Sequence, residues 1–201
     1  MGDKSLRKKQ YIIRKAREVF VARGFKDVTM KDIVEECEIS RGGLYLYFQN
    51  TSDIFMAVLA GEDSNGDEDG AEDDVFVKAM KAKASSADIL ALFMQEQKKE
   101  LCNTKDNLAI ASYEFFFANK IEAKENLLKQ QFDAAVAVLE KLIQDGVKDN
   151  DLVCDDPKGA ARNIMYVLEG LRIMSQTVGI SEKEVNKEIL YLMKQIIKEE
   201  V

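Results

Sequence analysis

One proline in 201 residues, Pro157, leaves this chain few ways to fold. Proline breaks a helix interior because it lacks an N–H and its ring clashes with the preceding turn. Its near absence permits long uninterrupted helices. Apolar residues recur every three or four positions almost throughout, and no stretch keeps the alternation of a strand. No internal repeat is present. The expected fold class is all-α.

The expected helices have local start and stop signals. Ile12, Ile13, Ala16, Val19 and Phe20 line one side of a first helix, which Gly24 closes. Thr29 then caps a short second helix, with Asp32 three residues on as a partial capping box, and Ile33, Val34 and Cys37 facing inward. Ser40 caps a third short helix with Leu44 and Phe48 as its buried side. Thr51 or Ser52 caps a fourth. The segment EDSNGDEDGAEDD, residues 62–74, carries eight acids and no base, and is expected to be a solvated loop. Further helices follow over ADILALFMQEQKKEL, NLAIASYEFFFANKI and about 124–147. Pro157 opens a helix ending before Gly179, and Ser181 with Glu184 starts a last one reaching Glu199.

Composition excludes several chemistries. The chain has no histidine, which removes Ser-His-Asp and Cys-His nucleophiles and most zinc sites. No carboxylate pair or lysine stands in a catalytic motif, so no enzyme, metal or cofactor is expected. The insert imitates the first half of a calcium loop at Asn65, Asp67 and Asp69, but Phe76 stands where a bidentate glutamate is required. The three cysteines, Cys37, Cys102 and Cys154, form no framework; Cys37 reads as core, the others as lying near helix ends. The first ten residues lack an apolar signal core and no run approaches a membrane span, which points to the cytoplasm and to no membrane partner.

The net charge of −7 hides an asymmetry. Residues 1–60 carry 11 Lys/Arg against 8 Asp/Glu, and residues 1–17 carry seven bases against Asp3 alone. A basic front on an acidic body suits a chain with one end on a polyanion. Three short helices with a tight turn before the third make a helix-turn-helix, whose third helix enters the DNA major groove. In SRGGLYLYFQN, residues 40–50, Gly42 and Gly43 let that backbone approach the duplex, although each glycine weakens a helix by about 1 kcal/mol. Arg41 can fork onto guanine or phosphate, and Tyr45 and Tyr47 place hydroxyls within reach of phosphates.

Ile13, Ala16, Phe20, Gly24-Phe25, Thr29, Ile33, Ile39-Ser40, Gly42, Leu44-Tyr45 and Tyr47-Phe48 together resemble the tetracycline-repressor (TetR) family of bacterial transcription regulators, over about residues 8–56. The resemblance implies a TetR-like homodimer that reads a palindromic double-stranded operator and is released by a small apolar or amphipathic effector. It implies a DNA-binding domain over 1–50 and an effector-binding, dimerising helical bundle over 51–201. By position, Thr29, Lys31, Ser40, Arg41, Gly42, Gly43, Tyr45, Tyr47 and Thr51 are the expected DNA contacts. Two residues depart from the family's habit: Glu38 stands where glycine is common, and Thr51 where lysine is common. With Glu35 and Glu36 nearby, they predict weaker or more salt-sensitive binding.

The resemblance also implies an effector cavity somewhere in residues 75–180, for which Phe93, Met94, Tyr113, Phe116, Phe117, Met165, Tyr166, Glu169 and Met174 are the candidate lining, with Glu114 or Arg172 as further polar contacts; for each residue singly, ordinary core packing is the better reading. A dimer interface is expected on Ile164, Leu168, Leu171, Val185, Ile189, Met193 and Ile196, stripes that can equally close the protomer's own core. A different class of reading is a helical interaction module without sequence-specific DNA binding, docking a basic partner on its acidic body.

Overall fold

The computed structural model describes residues 3–61, 84–103 and 107–197. Nine helices are built from them: α1 Asp3–Arg23, α2 Met30–Glu36, α3 Arg41–Tyr45, α4 Thr51–Leu59, α5 Ser86–Cys102, α6 Ala109–Ala118, α7 Leu127–Lys148, α8 Pro157–Thr177 and α9 Glu182–Lys194. Among the described residues the extended pairing is limited to one antiparallel bridge, Leu152 with Ile197. None of the described helices is long and apolar enough to cross a membrane. The expected acidic loop, 62–74, lies outside the described residues.

Most of the local signals act as the sequence predicts. Gly24 and Gly179 take φ of +77° after α1 and α8, a conformation that glycine adopts without strain. Both expected capping boxes form, at Thr29–Asp32 and Ser181–Glu184. The fourth helix differs. Its cap is Asn50, whose side-chain oxygen accepts from the Asp53 N–H at 2.8 Å, and Thr51 is the first helical residue. Asp53 in turn accepts from the Gln49 N–H, so the exchange runs one residue earlier than expected. The last helix stops at Lys194, and the following residues turn to let Ile197 pair with Leu152.

The chain divides into two compact units. The first comprises 1–67 and 105–127, the second 68–104 and 128–201. The first unit thus runs past the boundary at residue 50 expected from sequence. The reason is apolar: Ile54, Phe55, Ala57 and Val58 of α4 and Ala111 and Phe115 of α6 are buried with Ile12, Ile13, Phe20, Ile33 and Leu44 in one core. Phe20, Phe25, Phe55, Phe115 and Phe116 pack ring to ring at centroid separations of 4.8–6.0 Å. Such pairs add about 0.5–1.5 kcal/mol each beyond the area they bury.

In the second unit α5 packs on α8 and α9. Leu90, Met94, Leu139, Ile143, Ile164, Leu168, Val185 and Met193 share its core. Gly146 of α7 is there for space: a Cβ would lie 2.6 Å from Leu152 Cδ1 and 2.8 Å from Ser86 Cβ. This core corrects the interface expected from periodicity. Ile164, Leu168, Val185, Met193 and Ile196 are buried within the protomer, and Leu171 and Ile189 pack partly against them. The apolar side chains left exposed on α8 and α9 are instead Tyr166, Ile173, Met174, Leu190 and Tyr191.

Candidate DNA-binding interface

The first unit holds its short helices in place with polar ties as well as the core. Arg23, in the last turn of α1, donates to Asp32 at 2.7 Å. Asp32 also accepts from the Thr29 N–H at 2.8 Å and from the Thr29 hydroxyl. The Thr29 hydroxyl, the Thr29 N–H and the Arg23 guanidinium, in that order, hold the Asp32 carboxyl down at about 2. Lys15 donates to Glu18 at 2.8 Å and to Glu36 at 3.2 Å, contacts that push its ammonium well above the usual lysine range. These two bridges tie both ends of α2 to α1. A polyanion would have to compete with these carboxylates for Lys15 and Arg23. Cys37 is buried in the core, and burial pushes its thiol up to about 11, the opposite of a reactive thiolate.

The turn before α3 runs through Glu38 at φ 51°, the left-handed region that favours glycine. This is the position at which the sequence departs from the family's common glycine. Ser40 follows, and its hydroxyl accepts from the Gly43 N–H at 3.1 Å. That N–H is therefore satisfied from within the chain and is not free for a phosphate. The glycine pair also divides in role. A Cβ on Gly43 would lie 3.1 Å from the Ser40 hydroxyl and 3.8 Å from the Lys8 ammonium, whereas a Cβ on Gly42 would meet nothing within 4 Å among the described residues. Gly43 has a packing reason to be small. Gly42 has none among the described residues.

Around α3 the expected contact residues come together. The Arg41 guanidinium lies over the Tyr45 ring, 5.6 Å from its centroid. The two border a shallow surface groove of about 200 Å³ whose other walls are Met30, Lys31 and Val34 of α2. Lys31 pairs with Glu35 at 3.5 Å, and both are well exposed, so a phosphate can compete for the ammonium. Tyr47 is less free than expected, since its hydroxyl accepts from Ser5 at 3.5 Å and its ring packs against the core. That contact, with Lys8 beside Gly43 and Lys9 over the Phe48 ring at 5.7 Å, brings the basic first turns of α1 alongside α3. Sequence reasoning named the basic arm without placing it. It also missed Met30, took Val34 only as an inward-facing residue of α2, and passed over Leu46, which is 79% exposed at the end of α3.

The expected effector residues are not gathered in this way. Tyr113, Phe116 and Phe117 belong to the first unit, the others to the second. Phe116 packs partly against the first core, while Phe117 is 83% exposed. Glu114 is committed to backbone: its carboxylate accepts from the Phe25 N–H at 2.7 Å and the Lys26 N–H at 3.0 Å. In the second unit Met94 and Met165 are buried in the core, with Phe93 packed against it. Tyr166 stacks on Phe132 at 5.1 Å, Met174 is exposed, and Glu169 pairs with Arg172, which also reaches Gln97 and Glu100. Met94 also lines an open apolar groove of about 490 Å³ between α5 and α9.

Comparison with known proteins agrees with this geometry. A family model described as "Bacterial regulatory proteins, tetR family" matches residues 12–58, and one described as "Tetracyclin repressor-like, C-terminal domain" matches 89–186. The HTH-type transcriptional regulator YfiR of Bacillus subtilis (strain 168) is 30% identical over 141 residues, 70% of this chain and 65% of that protein, a little under two thirds of its length. The HTH-type transcriptional regulator QacR of Staphylococcus aureus is 24% identical over 87% of this chain and 89% of its own. Among solved structures, reduced NemR of E. coli aligns with a TM-score of 0.74 at 12% identity, covering 96% of this chain and 99% of that one. A regulator from Agrobacterium tumefaciens aligns at 0.72, also at 12% identity, covering 95% and 98%. The structures support the fold, and the two family models support the assignment over both units. The chain belongs to the TetR family of helix-turn-helix, DNA-binding transcriptional regulators.

Proposed function

We propose that the protein is a homodimeric repressor acting in the cytoplasm. It binds a palindromic operator through α3 and is released by a small apolar or amphipathic effector. The observation that carries the reading is the cluster at α3: Arg41 stacked on Tyr45, Lys31 across the groove, and Gly42 open to an approaching duplex. Arg41 supplies the forked donor for guanine or phosphate, and the Tyr45 hydroxyl and Lys31 hold the phosphates on either side. Two copies of α3 meet successive turns of the major groove, so half-sites lie about 34 Å apart or a simple multiple of that. The effector favours a spacing that no longer fits, which is a population shift and involves no catalytic step.

Exposed apolar side chains on α8 and α9, rather than the buried stripes, support dimerisation there. The expected effector class rests on family membership and on the apolar character of the second unit.

The test is retention of DNA from upstream of the protein's own gene across a salt series, beside an Arg41→Ala, Tyr45→Phe double variant. Specific retention that falls steeply with salt and is lost in the variant is the expected result. Absence of specific retention by the wild type at low salt would favour the interaction-module reading instead.

A further inference from the structure

The four faces of α3 have separate fates. Leu44 and Phe48 point into the core, at 0% and 4% exposure. Arg41 and Tyr45 stack on each other beside α2. Gly43 faces Lys8, and Tyr47, one turn on, meets Ser5. That leaves Gly42 and Leu46, four residues apart and therefore on one stripe, about 160° around the helix from Leu44. Leu46 keeps helical torsions, φ −68° and ψ −21°. A helical side chain leans back over the preceding turn, so the isobutyl group of Leu46 lies toward the bare backbone of Gly42. The outward stripe of the recognition helix thus carries no hydrogen-bonding side chain, only a leucine that is 79% exposed beside a gap.

A single exposed leucine is ordinary on a protein surface. Its place here is what matters. Seated in a major groove, it desolvates base-edge donors and acceptors that it cannot pair, an unfavourable exchange at every base edge but one. The exception is thymine, whose C5 methyl is the apolar feature of that groove.

We infer that Leu46 is a specificity-determining residue that packs against a thymine methyl, and that Gly42 is bare so that the base edge can come close enough for this contact. The inference deepens the proposed function at the same face and is independent of repression or of any effector.

The experiment is to select a binding duplex from a random pool with the wild-type protein. Each thymine of the selected site is then replaced in turn by deoxyuridine, which lacks only the methyl. Affinity should fall on the order of fourfold per methyl at one thymine position, the value of burying one methyl-sized group. Leu46→Ala should lose affinity for the thymine duplex and show no further loss on methyl removal at that position, while responses elsewhere stay as in wild type. Gly42→Ala, whose Cβ has open space within the protein, should fold normally, as judged by thermal melting, and bind less tightly. Methyl dependence that persists unchanged in Leu46→Ala overturns the inference, as does a selected site without an invariant thymine. Sequence-specific binding with no methyl dependence sinks this inference alone, whereas failure to select any sequence overturns the regulator reading with it.

Discussion

Glu38 sits at φ 51° with a full side chain in a turn where glycine is unstrained. For an L residue that conformation costs about 1–2 kcal/mol relative to the right-handed region. Glu38→Gly is therefore expected to raise stability by about 1 kcal/mol, offset in part by the greater freedom of glycine in the unfolded chain, and to tighten DNA binding by removing a negative charge. Urea denaturation and a DNA titration check both. Thr29 and Asp32 make a second prediction. The folded carboxyl of Asp32 is held near 2, below its ordinary 3.8, so its contribution is present above pH 4 and is lost as pH falls toward 2. The melting-temperature gap between wild type and Asp32→Asn should be widest above pH 5 and should close by about pH 2. A gap unchanged by acid would show that the charge of Asp32 is immaterial.

Caps and stops are legible in sequence because they are local. Thr29, Ser40, Gly24, Pro157, Gly179 and the Ser181–Glu184 pair each act on backbone within a few residues of themselves. The fourth helix escaped by one residue because Asn50, Thr51 and Ser52 are all competent caps, and only the Asn50 geometry reaches Asp53. The interior of α6 was illegible for a different reason: periodicity tells which face is apolar but not what that face meets. Hence Phe116, expected beside Phe93 and Met165, packs instead against the core of the first unit, in which Phe115 is buried. Glu114 looked like a ligand contact and is instead a latch on the α1–α2 corner, where its Oε2 lies close to Gly24. Glu114→Ala removes two charge-assisted bonds from the Phe25 and Lys26 amides and should cost about 2 kcal/mol, with faster hydrogen exchange at those two amides. An exchange pattern unchanged at Phe25 and Lys26 would discount the latch.

Across the whole molecule, a net charge of −7 is compatible with the proposed DNA binding because residues 1–17 of the first unit concentrate seven bases against Asp3 alone. Lys8→Ala should lower the slope of log affinity against log salt by about 1 if Lys8 neutralises a phosphate, leaving sequence preference intact. The second unit offers a contrast between exposed and buried apolar residues. Tyr191→Glu, at a side chain 66% exposed, should yield a folded monomer by sedimentation, whereas Leu168→Glu, at a site with no exposure, should unfold the unit. A Tyr191→Glu protein that remains dimeric would move the interface elsewhere. The path of the chain, finally, bears on how the protein is made. The first unit draws residues 105–127 from beyond part of the second. A nascent chain ended near residue 61 holds the recognition helix but lacks Phe115 and Glu114. At about 5–20 residues per second, the ribosome takes a further 3–13 s, roughly, to reach residue 127. Until then the recognition helix is carried by an unfinished core, and DNA-binding competence arrives late in synthesis although its residues are translated first.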